Sequence, residues 1–300
     1  MTWIAGGTFA MGSADFYPEE RPVHQVAVDG FWIDTAPVTV TQFRRFVKQT
    51  GYVTLAERAP VAADYPAADP ALLVPGSLVF QPATGPVDLR DVRNWWAYVP
   101  GASWRHPEGP GSDLSRRDQH PVTHVAFGDA LAYAAWAGKE LPTEAEWEFA
   151  ARGGLAGAAF AWGDELAPGG EQLANTWQGE FPWQNLLLDG YAGTSPVGAF
   201  TANGYGLHDM AGNVWEWTSD YFRSRHQPDA AKACCVPRNP RVGAEDVRGP
   251  AEQIPRRVIK GGSHLCAPSY CLRFRPAARQ GEAVDTSTSH IGFRCALRPA

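Results

Sequence analysis

Asn203-Gly204-Tyr205-Gly206-Leu207-His208-Asp209-Met210-Ala211-Gly212-Asn213-Val214-Trp215-Glu216-Trp217 holds neither a helical period nor a sustained alternation. Turn glycines and asparagines are interleaved with aromatic residues instead. That combination describes irregular backbone held in place by large buried rings, which supply apolar area together with a polar handle. The same texture continues from about residue 155 to the end, so a fold of low regular secondary structure is expected. The stretch also brings Asp209, Asn213 and Glu216 close to glycines whose carbonyls are free. With Asn175-Thr176 and Asp189-Gly190-Tyr191 upstream, such oxygens suit a hard cation such as Ca²⁺. Asn and Asp side chains bonding their own turns would leave the same pattern.

Regular elements lie nearer the start. Thr143 and Glu146 have capping-box spacing, acids fill the following turn, and Gly153-Gly154 stops the run, so a helix is expected over about 143–152. Thr39 and Gln42 repeat the box before Phe43, Phe46 and Val47, with Gly51 as the stop, which predicts a helix over about 40–50. Phe127 to Ala137 reads as another, ended by Gly138. Residues 7–34 alternate in short runs between Pro, Gly and Asp clusters, as antiparallel strands do. Residues 53–122 are rich in Pro, Ala and Gly yet contain Trp95, Trp96 and Trp104, which predicts a long ordered loop rather than a linker. No repeat and no shift of composition marks a boundary. One α+β domain spanning 1–300 is expected.

Composition narrows the function. The 300 residues include 31 Gly and 25 Pro, but also 12 Trp, 9 Tyr and 14 Phe, so the many turns do not signal disorder. A net charge of −6 and no basic run make no nucleic-acid partner the expectation. No apolar stretch approaches the ~20 residues of a membrane helix, and residues 1–7 do not read as a signal peptide. The expectation is a soluble, cytoplasmic protein that does not enter a membrane.

Five cysteines, Cys234, Cys235, Cys266, Cys271 and Cys295, are too few and too clustered for a disulfide framework. The informative segment is Lys260-Gly261-Gly262-Ser263-His264-Leu265-Cys266-Ala267-Pro268-Ser269-Tyr270-Cys271-Leu272-Arg273-Phe274-Arg275. Two cysteines five apart around a proline do not match zinc or thioredoxin spacing. Two thiolates suit a soft, low-coordinate ion such as Cu(I), or a reversible disulfide, and Arg273 and Arg275 favour the thiolate form. Two small core residues would give the same spacing.

Several motifs together resemble the formylglycine-generating enzyme, or sulfatase-modifying factor, family in its bacterial type. They are Gly6-Gly7-Thr8-Phe9-Ala10-Met11-Gly12, Leu141 to Glu148, Gly204 to Leu207 with Gly212 to Trp217, Gly261-Gly262-Ser263 and Gly292-Phe293-Arg294-Cys295. The likeness runs from about residue 4 to 297, and the Cys266/Cys271 pair is its discriminating feature. The resemblance implies a C-type-lectin-like fold and an oxidase that converts the cysteine of a Cys-x-Pro-x-Arg segment in an unfolded sulfatase to formylglycine with O₂. It implies Cu(I) on Cys266 and Cys271, with Ser263, Tyr270 and Trp215 beside them. It further implies two structural calcium sites: Asn175, Thr176 carbonyl, Asp189 and Tyr191 carbonyl; then Asp209, the Gly212 and Val214 carbonyls, and Glu216. A monomer is expected. The positions that pair as disulfides in animal relatives are here Ala134 with Cys295 and Ala151 with Pro276, so neither bridge forms. His290 stands where a pocket asparagine is common. Cys234-Cys235-Val236-Pro237-Arg238 is a near miss of the target motif, read as a surface loop. A non-catalytic protein-binding member and an iron sulfoxide synthase are the alternatives. The synthase chemistry usually needs three histidines, two of them on a helical bundle domain that this sequence does not show.

Overall fold

The computed structural model describes residues 1–226, 236–247 and 254–299. Cys234 and Cys235 lie outside them, while the exposed Arg238 beyond them pairs with Asp29. Among the described residues, three α-helices and four small sheets are set in a larger body of irregular chain. β1 (Thr2–Ile4) and β11 (Ala296–Leu297) flank β4 (Phe31–Ile33), so the first and last strands share one antiparallel sheet. β2 (Gly7–Met11) pairs antiparallel with β3 (His24–Val28), as the alternation predicts.

The largest sheet has the order β10-β7-β8-β9. β7 (Trp215–Tyr221), β8 (Arg256–Lys260) and β9 (Arg279–Ala283) are antiparallel neighbours, and β10 (Ile291–Gly292) runs parallel to β7. Residues 53–122 are not one long loop. They contain the antiparallel pair β5 (Gly76–Phe80) and β6 (Trp96–Pro100), joined in register from Gly76 opposite Pro100 to Phe80 opposite Trp96. Fifteen residues separate those strands, so the pairing rests on tertiary contacts that local patterning does not reveal.

The helices form where their caps predict. α1 (Val40–Thr50) starts on a complete Thr39/Gln42 box and ends on a left-handed Gly51. α3 (Glu144–Arg152) starts on the Thr143/Glu146 box and ends on a left-handed Gly153. α2 (Phe127–Trp136) has Ala126 at its N-cap, and the Asp129 carboxylate accepts the Ala126 N–H at 2.8 Å in place of the full box. No helix among the described residues is long and apolar enough to cross a membrane.

The main core joins α1 and α2 to the large sheet through Phe43, Phe46, Trp104, Tyr133, Trp217 and Phe293, and Cys266 and Cys295 are buried within it. Cys266, Cys271 and Cys295 are all free thiols. Ala134 and Cys295 share this core, so the position that could hold a bridge holds apolar packing. A smaller aromatic cluster of Trp95, Trp177, Phe181, Leu265 and Ala267 lies against the cysteine segment.

Candidate active site

The cysteine segment follows directly from β8. Gly261 and Gly262 are both left-handed, with φ of 93° and 67°. A Cβ on Gly262 would stand 2.8 Å from the Phe274 nitrogen, so only glycine lets the chain turn back on itself here. The turn closes with the Cys266 N–H on the Ser263 carbonyl at 2.9 Å. A second turn, in which the Cys271 N–H meets the Ala267 carbonyl at 2.7 Å, carries the chain past Pro268 and returns the second cysteine to the first.

The two sulfurs stand 3.2 Å apart, a contact between reduced thiols rather than a ~2.05 Å bond. Cys266 is buried and Cys271 is half-buried. Burial, reinforced by Cys271, pushes the Cys266 thiol well above its usual range. The Cys266 S–H and the Arg273 guanidinium, acting against burial, hold Cys271 down to about 7. The pair therefore favours a single thiolate centred on Cys271, with Cys266 donating to it.

Arg273 is itself positioned from the N-terminal part of the chain. Its guanidinium lies 4.0 Å from the Cys271 sulfur, pairs with Glu19 at 2.7 Å and rests over the Tyr17 ring at 3.8 Å. The Tyr17 hydroxyl accepts the Leu272 N–H at 3.0 Å. Arg275 is fully buried, forks onto Glu20 and donates to the Leu272 carbonyl at 2.8 Å. The second cysteine thus sits on a strap fixed at both arginines. None of the residues 16–20 stands out by motif, and the charge alternation between the two segments was the only available signal.

Of the expected neighbours, Ser263 touches the pair and Tyr270 adjoins Cys271, whereas Trp215 shares only the wider core with Cys266. Ser263 is fully buried, its N–H points to the Cys266 sulfur at 3.4 Å and its hydroxyl accepts the Leu265 N–H at 3.2 Å. Tyr270 stacks on Phe181 at 4.5 Å and meets the edge of Trp95, leaving the ring partly open to solvent. Trp215 is buried in the same core cluster as Cys266. His290 packs on Trp96 at 4.8 Å, and burial lowers its pKa to about 3, so it is neutral. Its Nδ1 and the Thr288 hydroxyl are 2.6 Å apart.

Both oxygen-rich sets are assembled to different degrees. Asp189 accepts the Thr176 N–H at 3.0 Å and the Tyr191 N–H at 2.9 Å, which gathers that loop around Asn175. Asn175 is buried, and its Oδ1 has no hydrogen-bond partner among the described residues. An orphaned buried oxygen is costly unless something else satisfies it. An amide oxygen is a ligand that suits a hard cation, although the Gln178 amide already donates to Asp189 at 2.8 Å and to the Thr176 carbonyl. The second set is differently placed. Glu216 is fully buried and forks onto Arg294 at 2.6 and 2.7 Å while accepting the Trp147 indole at 2.8 Å. Asp209 accepts the Gly198 N–H at 2.8 Å. There a cation would compete with Arg294 for the Glu216 carboxylate.

With this geometry, similarity to known proteins becomes informative. The family pattern of the sulfatase-modifying factor enzyme 1-like domain matches residues 1–299. The chain is 54% identical over 297 residues to the formylglycine-generating enzyme of Mycobacterium tuberculosis, covering 99% of this chain and 97% of that one. It is 47% identical over 304 residues to the formylglycine-generating enzyme of Thermomonospora curvata, covering 100% and 93%. The structure of PvdO from Pseudomonas aeruginosa matches with a TM-score of 0.65 at 24% identity over 99% of this chain and 93% of that one, a likeness of fold alone. On the full-length match and these identities, the chain belongs to the formylglycine-generating, or sulfatase-modifying factor, family.

Proposed function

We propose that this protein is an oxidase that converts the cysteine of a Cys-x-Pro-x-Arg segment in an unfolded sulfatase to formylglycine. One observation supports this most: the close, reduced pair of Cys266 and Cys271, with Cys271 biased toward the thiolate. A non-catalytic binding member would have no use for a thiolate stabilised by an arginine strap.

The conversion removes two hydrogens from the substrate Cβ–SH unit, giving a thioaldehyde that water hydrolyses to the aldehyde and hydrogen sulfide. The dehydrogenation releases two electrons, and the hydrolysis none. Dioxygen reduced to water takes four, so two equivalents of an external thiol, joined as one disulfide, would supply the other two. Two sulfur donors in a largely dry setting match a soft ion, and Cu(I) held by Cys266 and Cys271 would bind the substrate thiol and activate O₂.

The chain's own residues supply position and environment. Arg273 balances negative charge at Cys271, and Ser263 directs its N–H at Cys266. The stacked Tyr270 and Phe181 form a rigid aromatic wall next to Cys271. We place structural calcium at Asn175, Thr176, Asp189 and Tyr191, supported by the unpartnered Asn175 oxygen. At Asp209, Gly212, Val214 and Glu216, calcium would require Glu216 to share its carboxylate with Arg294. A monomer working on a single unfolded chain completes the reading.

The deciding experiment is mass spectrometry of a Cys-x-Pro-x-Arg peptide incubated with the protein, Cu(I), O₂ and a thiol reductant. Loss of the thiol mass with gain of an aldehyde supports the proposal. An unmodified peptide with copper-loaded protein overturns it.

A further inference from the structure

The loop between Gln184 and Tyr191 presents three consecutive leucines to solvent: Leu186, Leu187 and Leu188 are 53%, 45% and 63% exposed. Leucines at a loop tip usually turn inward or give way to polar residues. Here the backbone prevents it. The Leu186 N–H bonds the Gln178 carbonyl at 2.7 Å, the Leu187 N–H bonds the Asn185 side chain at 3.1 Å, and the Gly190 N–H bonds the Leu187 carbonyl at 3.0 Å. Leu187 is held left-handed at φ 53°, a conformation that side chains other than Asn and Asp rarely adopt. Asp189, tied to Thr176, anchors the C-terminal side.

The tip lies two backbone hydrogen bonds from the cysteine segment, because Leu186 bonds Gln178 and the adjoining Trp177 bonds Cys266. Leu187, alone of the three, borders a cavity of about 520 Å³ whose walls combine Phe80, Trp177 and Trp183 with Glu108, Arg117 and His264. The Trp177 N–H donates to the Cys266 carbonyl at 3.0 Å, and His264 precedes Cys266 by two residues. The cavity is therefore backed by the same segment that holds the sulfurs.

We propose that Leu186, Leu187 and Leu188, at the edge of the cavity that Leu187 borders, form a docking surface for an apolar stretch of the unfolded substrate polypeptide flanking its reacting cysteine. This deepens the functional reading above and rests on it. An unfolded chain exposes the apolar segments that folding will bury, and a rigid apolar tip beside a wide cavity takes them without demanding one sequence. The short motif places the thiol, and the leucines retain the chain.

The test compares two peptides, one spanning only Cys-x-Pro-x-Arg and one extended on both sides by segments rich in Leu, Val and Phe. The variants are the double Leu186→Ser/Leu188→Ser and, separately, Leu187→Asn, since asparagine tolerates the left-handed backbone. An unchanged melting temperature shows that either variant folds. The double variant should raise KM for the long peptide about tenfold, with its kcat and both constants of the short peptide unchanged. Equal effects on both peptides, or none, overturn the proposal. So does a concentration-dependent dimer of the wild-type protein that the double variant abolishes. If the wild-type protein modifies neither peptide, the reading of the activity fails. Fluorescence anisotropy of the long peptide with serine for its cysteine then judges the surface alone: weaker binding by the double variant supports it, and equal binding overturns it.

Discussion

Arg273 places its guanidinium 4.0 Å from the sulfur of Cys271 while Glu19 holds the other side of the same group. The two cysteines share one turn and differ mainly in what faces them. Cys266 looks into the core, and Cys271 looks toward a cation. That difference splits their proton affinities and makes the pair asymmetric.

Removal of that cation should be visible in copper-free protein. Cys271 sits at about 7 against an ordinary 9.0, so its alkylation by iodoacetamide should rise through pH 7. Arg273→Leu should move the midpoint toward 9. Because the folded thiol is the stronger acid, the unfolded chain binds more protons between pH 7 and 9, and this group's stabilisation grows over that window. It is lost as pH falls through 7. A midpoint unmoved by Arg273→Leu would show that Cys266 alone sets the thiolate.

Legibility followed physical range. Thr39/Gln42 and Thr143/Glu146 announced α1 and α3 because a cap is a contact over three residues. Ala126 has no side chain that can cap, yet α2 is legible as the run from Phe127 to Ala137 that Gly138 ends. β5 and β6 stayed hidden because Gly76 to Phe80 alternates weakly and its partner is remote in sequence. β10 is two residues long and pairs in parallel with β7, a signal too short for any pattern. At the site, the cysteines were readable and their supports were not. Glu19, Tyr17 and Glu20 lie more than 250 residues from Arg273 and Arg275 and meet them only through the fold.

Beneath β8 lies a charge network that should dominate acid stability. Lys260 is fully buried, 3.0 Å from Glu148, and Arg152 meets the same carboxylate at 2.7 Å. Burial would raise the Glu148 carboxyl, but Lys260 and Arg152 outweigh it and hold it down to about 2. Its stabilisation is therefore present above about 4.5 and is lost as pH falls through 2. Glu148→Gln leaves Lys260 buried without its closest partner and should cost about 3–5 kcal/mol at pH 7. Urea titrations from pH 2 to 7 should show a flatter acid limb for the variant. A wild-type-like acid limb would remove Glu148 from this role.

Calcium should act through the unpartnered Asn175 oxygen. A ligand that binds only the folded state stabilises it, so a calcium-selective chelator should lower the melting temperature and added Ca²⁺ should restore it. Asp189→Asn should abolish that response. The same protein with Glu216→Gln separates the two oxygen sets, because losing the Arg294 pair destabilises whether or not calcium is present. No calcium by elemental analysis and no chelator effect would refute the assignment.

The cysteine pair itself sets the strictest test. If Cys266 and Cys271 hold Cu(I), replacing either by serine substitutes a hard, poorly ionised oxygen and should remove high-affinity binding and turnover together. The two variants should nonetheless differ in stability. Cys266 lies in the main core, where a hydroxyl costs on the order of 1–3 kcal/mol, whereas the half-buried Cys271 can expose its replacement to water. Cys295→Ser is the control: Cys295 is equally buried in that core and has no part in the site, so it should lose stability but keep copper and activity. Copper stoichiometry, peptide turnover and melting temperature measured on all three variants separate ligand from packing. Tight binding of one Cu(I) by Cys271→Ser, with aldehyde still formed, would exclude a two-sulfur copper site. Loss of activity in Cys295→Ser at a temperature where it remains folded would instead place the chemistry deeper in the core than Cys271.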